Sequence, residues 1–413
     1  MNILFLDAYF APETIAYTHL ETDLLDGLTN EGHKVQVICP VPTRGINEET
    51  RKRYKKQKRE SLYGGAVTVR RFWAPQEGKN PIVRAFRYFW CNLRTYQIAT
   101  NCCNVDVVFS NSTPPTQGAL SAIVARKLSK KNKRKIPFIF NLQDIFPDSL
   151  VNANMINERS ILWKIGRRLE DFTYNYADKI ILISQGFKRN IMAKGVEEEK
   201  IEVISNWIDL EFVYPVERKD NKLIHEFGLD PNKFIVVYAG NFGAVQGADI
   251  ILKVADELKQ NTNIHFVILG SGVYFEDARK KAEKLNNVFI HGLLPQNRVS
   301  EVYSLGDVAL ITCKIGTGRA GMPSKIWSIM ACNTAIIASF DRDSDLADVI
   351  CDSGVGECVE PENVEKLKQA IIRNYLSKNH NRNFRKYVEL NASRNLCVKR
   401  FVNEFKLIGE RHE

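Results

Sequence analysis

Hydrophobic blocks along the chain are short and rich in β-branched residues, and longer stretches with apolar positions at helical spacing follow them. The pattern predicts a strand over Asn2–Leu6, a helix over Glu13–Glu31 closed by Gly32, and a strand over Lys34–Cys39. Further strands are predicted over Val105–Phe109, Pro137–Leu142, Lys179–Ile183 and Lys200–Ile204, with helices over Ala119–Leu128 and 161–177. Residues 211–232 are polar and predict a linker with a short helix. The alternation then restarts. Strands are predicted over Phe234–Ala239, His265–Leu269, Val288–Ile290, Val308–Thr312 and Thr334–Ala338, separated by helices over Ala248–Gln260, 275–285 and Val299–Leu305. Repeated βα alternation predicts parallel sheets with right-handed crossovers. Two runs in tandem predict an α/β protein of two Rossmann-like domains, 1–210 and 211–395, facing a central cleft. Ligands of such sheets bind at the C-terminal strand ends, where the polar and Gly-rich turns fall.

The most chemical of these turns is Gly316–Ser339. A Gly-rich turn carries Arg319, Pro323 and Ser324 open a helix, and Lys325 sits in its first turn. Proline suits the first helical position. A helix N-terminus offers unpaired N–H groups and a positive dipole end, and two cations beside it suit a diphosphate. A basic surface loop before an ordinary helix is the other reading.

Composition narrows the class. Apolar residues make up 44% of the 413, enough for two cores, and no run of about 18 apolar residues predicts a transmembrane helix. Met1–Phe10 lacks a basic leader and carries Asp7, so it reads as a strand and not as a signal peptide. Nine cysteines without a C-x-x-C pair, and no two of the seven His at ligand spacing, point to a reduced, cytoplasmic protein without a metal site. The net charge of +10 is uneven: residues 1–210 hold 31 Lys+Arg against 22 Asp+Glu. The excess gathers in Arg51–Glu60 and Arg126–Lys135. Such clusters read as contacts to an anionic surface or as solvated loops.

Asn80–Thr100 adds a third basic element. At helical spacing Ile82, Phe86, Phe89, Trp90 and Leu93 share a face, with Arg84, Arg87 and Arg94 on the other. Either the helix lies in a membrane interface, with Arg84, Arg87, Phe89, Trp90 and Arg94 in contact, or its aromatic face packs on its own sheet. No helix-turn-helix, zinc finger or RNP pattern speaks for nucleic acid.

Other turns are weaker. Gly240-Asn241-Phe242-Gly243 follows a strand and precedes a helix, so its backbone could meet a phosphate or simply turn; Gly270-Ser271-Gly272 is similar. Asp144 and Asp148 lie beyond a buried strand, where each could be a general base, a hydroxyl ligand or a helix cap. Asn206 and Asp209 read as turn formers, and Asp7 and Glu13 flank the first strand-to-helix turn. No Ser-His-Asp order, H-E-x-x-H or P-loop occurs.

NILFLDAYFAPET…LLDGLTNEGHKVQVICP, FNLQDIFPDS, VISNWIDLEFVYP, VVYAGNFGAVQGADIILKVADEL, HGLLPQNRVSEVYSLGDVALI and MPSKIWSIMACNTAIIAS together resemble the family 4 glycosyltransferases of the GT-B fold. The last segment resembles most the branch containing bacterial L-fucosamine transferases of O-antigen and capsule assembly. The resemblance spans nearly the whole chain. It implies a nucleotide-sugar site on the C-terminal domain and an acceptor site on the N-terminal one, with a last helix (396–413) packing back on the first domain. It implies retention of configuration, no cofactor and no metal, with Arg319 and Lys325 neutralising the leaving diphosphate and Asp144 orienting the acceptor. Donor contacts would come from Gly240, Asn241, Phe242, Gly243, Gln246, Gly270, Leu294, Pro323, Ser324 and Ser328. Acceptor-side positions would be Pro12, Glu13, Asn111 and Gln143. The sequence departs from the family's E-x7-E pair, whose places fall on Ala320 and Ser328, and from its Arg and Lys in the first donor turn, which fall on Asn241 and Gln246. Gln143 stands where the family often has His.

The implied activity moves a sugar, an N-acetylated hexosamine or 6-deoxyhexosamine, from UDP to a lipid diphosphate-linked saccharide at an anionic inner leaflet. That makes the protein cytoplasmic and peripheral on the membrane. A nucleotide-sugar 2-epimerase shares the fold but needs acid/base carboxylates and His around the sugar. A degenerate GT-B subunit would bind without turnover. A nicotinamide oxidoreductase is disfavoured because no G-x-G-x-x-G follows the first strand.

Overall fold

The computed structural model describes residues 1–413 except 14–16, 78–80, 153–154, 378–382 and 412–413. The chain forms two compact units: Met1–Ser205 with Cys397–Glu413, and Asn206–Leu396.

The first unit is built on an eight-stranded sheet in the order β3-β4-β2-β1-β5-β6-β7-β8. Its strands are β1 (Asn2–Leu6), β2 (Lys34–Pro40), β3 (Arg59–Leu62), β4 (Val67–Phe72), β5 (Val107–Asn111), β6 (Phe138–Leu142), β7 (Lys179–Leu182) and β8 (Ile201–Val203). All neighbours are parallel except the edge pair β3 and β4, which is antiparallel. The central strands β5 and β6 are buried at every position, as a parallel sheet covered on both faces requires. The last helix, Arg394–Glu410, packs on this unit: Phe405 meets Phe109 of β5, and Val398 and Val402 crowd Gly27 so closely that a side chain there has no room. The end of the 396–413 segment, at 412–413, lies outside the described residues.

The second unit holds a six-stranded parallel sheet in the order β11-β10-β9-β12-β13-β14. Its strands are β9 (Phe234–Asn241), β10 (Ile264–Ser271), β11 (Val288–Gly292), β12 (Val308–Thr312), β13 (Ala335–Ser339) and β14 (Gly356–Val359). Alternate residues of β9 divide between its faces: Ile235 and Val237 join one core cluster, Val236 and Tyr238 the other. Both units are thus Rossmann-like layers of α on parallel β, as the alternating pattern predicts.

Three differences have physical causes. Residues 206–232 are part of the second unit and not a free linker. Leu223 and Asn221 are fully buried, Asn221 Nδ2 donates to the Glu301 carbonyl, and Arg218 pairs with Asp307 at 2.7 Å. The basic run Arg51–Glu60 is not an open loop; most of it forms a helix, Glu48–Lys56, capped by Asn47 and followed by the edge strand β3. The first long helix runs over Thr18–Asn30, later than the predicted start at Glu13; residues 14–16 lie outside the described residues.

Candidate functional site

In the second unit, β9 and β10 end side by side, with Gly240 paired to Gly270 and Asn241 to Ser271. Tyr238 is buried one pleat earlier, and its hydroxyl donates to the Asn241 carbonyl at 3.0 Å, tying the turn to the strand. Above that ring sits Lys325. Its Nζ lies 4.5 Å from the ring centroid and donates to the Ala239 carbonyl at 3.4 Å. A Cβ at position 240 would stand 3.2 Å from the same Nζ, so glycine there leaves the ammonium its space. The helix Lys325–Ala331 places it: Ile326, Ile329 and Met330 are buried in the core, which turns Lys325 and Ser328, three apart, onto the other, half-buried face. No carboxylate pairs with Lys325 among the described residues. Burial in these surroundings lowers its pKa to about 8. A partly desolvated cation held by a ring face and one carbonyl is a receptor for an anion.

Glycine is a steric requirement at 272, whereas at 243 it leaves room for two polar side chains. Gly272 has φ +118°, and a Cβ on it would lie 2.1 Å from Asn241 Oδ1. A Cβ on Gly243 would lie 2.6 Å from Gln246 Oε1, which faces Asn241 Nδ2 at 3.5 Å. Behind the edge an apolar cavity of about 160 Å³ is lined by Ala239, Gly240, Leu269, Leu294, Val299 and Tyr303. An apolar cavity of ~150 Å³ admits one aromatic ring. A larger pocket, about 560 Å³, opens on the other side of Gly243, between the helices Asp249–Glu257 and Phe275–Ala282.

The structure corrects part of the expected donor set. Phe242 is a core wedge, edge-on to Tyr238 and Phe275, so only its backbone meets the turn. The turn that carries Arg319 is pinned from behind: Gly316 and Gly318 N–H donate to the buried Asp341 carboxylate at 2.9 and 2.8 Å. Arg319 is exposed and donates from Nε to Asp343 at 2.9 Å, which holds its pKa above the usual value. Pro323 precedes a helix of only seven residues, and the exposed Ser324 makes no side-chain cap. Lys325, Gly240, Gly270, Asn241, Gln246 and Leu294 do gather at the β9 and β10 ends and the cavity behind them, and Ser328 lies one helical turn beyond Lys325. Tyr238 was not singled out in the sequence, where it reads as one more apolar strand residue.

In the first unit, Asp144 follows β6 and is exposed as a residue, its carboxyl accepting from the Ser149 hydroxyl at 3.3 Å. Burial of the carboxyl raises its pKa, and Ser149 partly offsets that. The Ser112 hydroxyl anchors the turn by accepting from the backbone of Gln143 and Asp144 at 3.0 and 3.2 Å. Two expected acceptor contacts are interior groups. Glu13 is fully buried and accepts from the backbone of Thr43 and Arg44 at 2.6 and 2.8 Å, because those amides have no strand partner. Asn111, the last residue of β5, is buried and donates to Glu21 at 2.6 Å. Pro12 is half-buried in the same connection as Glu13.

The helix Pro81–Ala99 departs from both expectations in part. Arg87, assigned to the membrane side, is 1% exposed and donates to the Pro75 carbonyl. The aromatic face is the one left outside: Ile82 is 77% and Phe89 65% exposed, with Phe86 and Leu93 beside them. Trp90 is half-buried against Trp73 and donates to its carbonyl at 2.8 Å. Arg84 is exposed and bonds Tyr88; the half-exposed Arg94 bonds Gln97. Asn80, the expected first residue of this helix, lies outside the described residues. The helix Ile161–Tyr176 also bares apolar residues at its start, Ile161 (77%), Leu162 and Ile165, and both helices pack against the helix Gln117–Asn132.

Among the described residues no helix is long and apolar enough to cross a membrane, and no group of three His, Cys, Asp or Glu side chains could hold a metal.

Residues 22–212 match the model of Glycosyltransferase Family 4, and residues 219–390 match that of Glycosyl transferases group 1. The chain belongs to the family 4 glycosyltransferases. It is 26% identical to "Probable glycosyltransferase WbjE" of Pseudomonas aeruginosa over 73% of this chain and 74% of that one. It is 28% identical to WcaI of Escherichia coli (strain K12), which is named for colanic acid biosynthesis as a glycosyl transferase, over 65% and 67% of the two chains. Among solved structures, sucrose-phosphate synthase of Thermosynechococcus elongatus superposes with a TM-score of 0.73 at 14% identity, covering 98% of each chain. The Anabaena protein HepE, solved in complex with UDP, gives 0.70 at 15% identity over 98% of this chain and all of its own. The fold of both units is therefore that of the GT-B glycosyltransferases.

Proposed function

We propose that this glycosyltransferase moves a sugar, an N-acetylated hexosamine or 6-deoxyhexosamine, from a UDP donor to a lipid diphosphate-linked saccharide with retention of configuration, in the assembly of a cell-surface polysaccharide. The observation that carries the donor half is the Lys325 ammonium over Tyr238, with no carboxylate partner among the described residues and glycine beneath it. It waits for an anion at the end of β9, next to an apolar cavity of base-like size. The diphosphate would lie on Lys325 and the Gly240 turn, with the base toward Leu294 and the ribose toward Ser328. Charge growing on the leaving phosphate would be met by a fixed cation, the preorganised electrostatics that acyl and phosphoryl transfer also use. Arg319 would join only by leaving Asp343. No metal is needed where a lysine takes that charge. UDP is favoured by the UDP complex of HepE. Polysaccharide assembly is favoured by the name of WcaI, and a lipid acceptor by that of the 28% identical "Alpha-galactosylglucosyldiacylglycerol synthase" of Streptococcus pneumoniae.

The acceptor would be taken by the first unit, with Asp144 orienting its hydroxyl. The bare faces of the Pro81 and Ile161 helices, with Arg84, Lys164 and Arg168 exposed among them, suit the interface of an anionic membrane. A cytoplasmic, peripheral location on the inner leaflet follows from that reading. A degenerate subunit is the second reading, favoured by the Arg319–Asp343 pair.

Thermal unfolding with UDP, GDP, dTDP, CMP and NAD, one at a time, tests the donor site. A ligand at 100 times its Kd adds about 2.7 kcal/mol, a shift of several degrees. A shift with UDP followed by sugar transfer to a lipid extract supports the proposal; a UDP shift without transfer gives the degenerate subunit; a shift with NAD alone overturns both.

A further inference from the structure

The pocket of about 560 Å³ beside the turn 242–247 is separate from the cavity of about 160 Å³ at the β9 end: no residue lines both. It lies between the helices Asp249–Glu257 and Phe275–Ala282. Four of its wall positions, Gly243, Gly247, Ala248 and Ala278, are glycine or alanine. Small residues between two helices leave space that a Leu or Phe would fill. Gly247 cannot be larger: its φ is +56°, and a Cβ there would lie 2.9 Å from the Cys313 carbonyl oxygen. Leu252, Leu285 and Phe242 make the wall apolar, with the exposed ring of Tyr274 beside them.

The charges on this wall do not cancel. Asp249 pairs with Lys253 at 2.8 Å, and Asp256 with Lys259 at 2.9 Å. Lys281, Lys284 and Lys314 have no carboxylate at ion-pair distance among the described residues, and Asp277 has no cation. Three unmatched ammonium groups against one carboxylate leave a positive surplus of two. The lysines come from different elements: Lys281 is in the last turn of the second helix, Lys284 follows that helix, and Lys314 follows β12. An apolar wall with such a rim selects an amphiphile, whose chain leaves water while its head meets the ammonium groups. The volume lies within the range of about 300–1,000 Å³ usual for small-ligand pockets. A carboxylate head would match half of the surplus, whereas a phosphate monoester carries about two negative charges at neutral pH.

We propose that this pocket is a second ligand site of the second unit and takes an apolar chain ending in a phosphate. The chain would lie against Leu252, Leu285 and Ala278, and the phosphate among Lys281, Lys284 and Lys314. The occupant would touch the back of the donor turn without entering the donor site. The Val245 carbonyl in that turn accepts from the Lys314 N–H at 2.9 Å and from the Thr317 hydroxyl at 3.1 Å, so the backbone of Lys314 is fixed to the turn. The site stands whether or not the β9 edge takes a nucleotide. Its chemistry is shared by a free phosphate ester and by a lipid drawn from a membrane.

Calorimetry of the full chain with decyl phosphate, decanol and inorganic phosphate, the amphiphiles below their micellar concentrations, tests the proposal. Decyl phosphate should bind about tenfold or more tightly than decanol, which lacks the charge, and than phosphate, which lacks the chain. Lys281→Glu, Lys284→Glu and Lys314→Glu combined should weaken decyl phosphate about tenfold or more and leave decanol unchanged. Thermal unfolding of that variant should match the wild type, since all three side chains are exposed. Ala278→Leu should weaken both ligands by filling the pocket; where it does not fold, the lysine variant still decides. Binding that survives the lysine variant overturns the site. So does binding lost instead in Lys325→Ala, which places the amphiphile at the donor edge, or in Phe89→Glu with Ile165→Glu, which places it on the bare helices. Equal binding of decyl phosphate and decanol overturns the phosphate. Phosphatidylcholine vesicles with and without dihexadecyl phosphate separate the two sources. Displacement of bound decyl phosphate only by the charged vesicles supports a membrane lipid as the occupant, and no displacement by either supports a free phosphate ester.

Discussion

The two parallel sheets end in polar edges of opposite character. In the first unit the edge is lined by the buried side chains Asp7, Glu21, Asn111 and Asn141, the last three joined by hydrogen bonds. In the second it is lined by glycines and a single lysine held over an aromatic ring. At one edge burial raises the pKa of the acids; at the other, Lys325 has no carboxylate partner among the described residues. On the reading proposed above, the same βα layout would prepare one surface for neutral hydroxyl groups and the other for an anion. What differs is which residues stand at the last two strand positions: side chains such as Asn111 and Asn141 that fill the edge, or Gly240 and Gly270 that leave it to the backbone and to one distant ammonium.

The sharpest way to break this contrast is to remove the cation. Lys325→Ala should lower turnover by about 10²–10³, the usual effect of losing one preorganised group at a developing anion. Steady-state transfer kinetics measure it. Arg319→Ala should cost only about tenfold, since that side chain is exposed and already spent on Asp343. Equal losses in the two variants would restore Arg319 as a full partner.

The first unit should also differ from the second in what it binds outside the edge. Replacing Phe89 and Ile165 together by Glu should lower partition onto vesicles containing anionic lipid by roughly 10²-fold, given about 1.5–3 kcal/mol for each apolar side chain withdrawn from water. Thermal unfolding in solution should barely change, because both side chains are exposed. Vesicle co-sedimentation with unchanged binding would leave this face without a membrane role.

Lys325 sharpens the comparison through pH. Its pKa is lowered to about 8 by burial, and a bound diphosphate would raise it again. Nucleotide affinity should therefore be flat below pH 8 and fall about tenfold per unit above it, with a proton taken up on binding. Calorimetry in two buffers of different ionisation heat checks the uptake. Lys325→Arg should remove the dependence, since arginine stays charged throughout.

How much of this was legible beforehand differs between the two edges for a physical reason. The alternation of β-branched blocks with helical spacing carried both sheets, because parallel strands buried on two faces have no choice but to be apolar. Lys325, Gly240 and Gly270 could be read from a Gly-rich turn and a helix start. The partner of Lys325 could not: Tyr238 is one more apolar residue in VVYAG, and only β9's register puts its ring under the ammonium. Arg319 looked available because Asp343 lies beyond the next strand, and nothing local announces that it returns. The Pro81 helix shows the limit of periodicity. Its aromatic residues do share an exposed face, but of the arginines set opposite only Arg87 turns inward, to the Pro75 carbonyl, while Arg84 stays exposed. β3 and β4 were missed because RESL and VTVRRF mix charge with apolar residues, as an edge does.

The smallest effect follows from the acids. Burial raises the Asp7 pKa to about 7 from 3.8, and raises Glu13 and Glu21 as well. A carboxyl with a folded-state pKa above its unfolded value binds its proton more tightly in the folded state. Its stabilising contribution is complete below about pH 4 and is lost as pH rises towards 7. For Asp7 alone the step from pH 6 to 8 should remove about 1–2 kcal/mol, or roughly 3–6 °C of Tm. His19 and His33, whose pKa values burial lowers, act the other way but only below about pH 6.5, so they do not mask the step above it. Asp7→Asn keeps the shape and removes the charge. Its melting temperature should change less than the wild type's between pH 6 and 8, and the two curves should diverge with rising pH. Parallel curves would mean that Asp7 is ionised in the folded protein across this range, and the contrast between an edge of acids with raised pKa values and a cation-bearing one would fail at its first member.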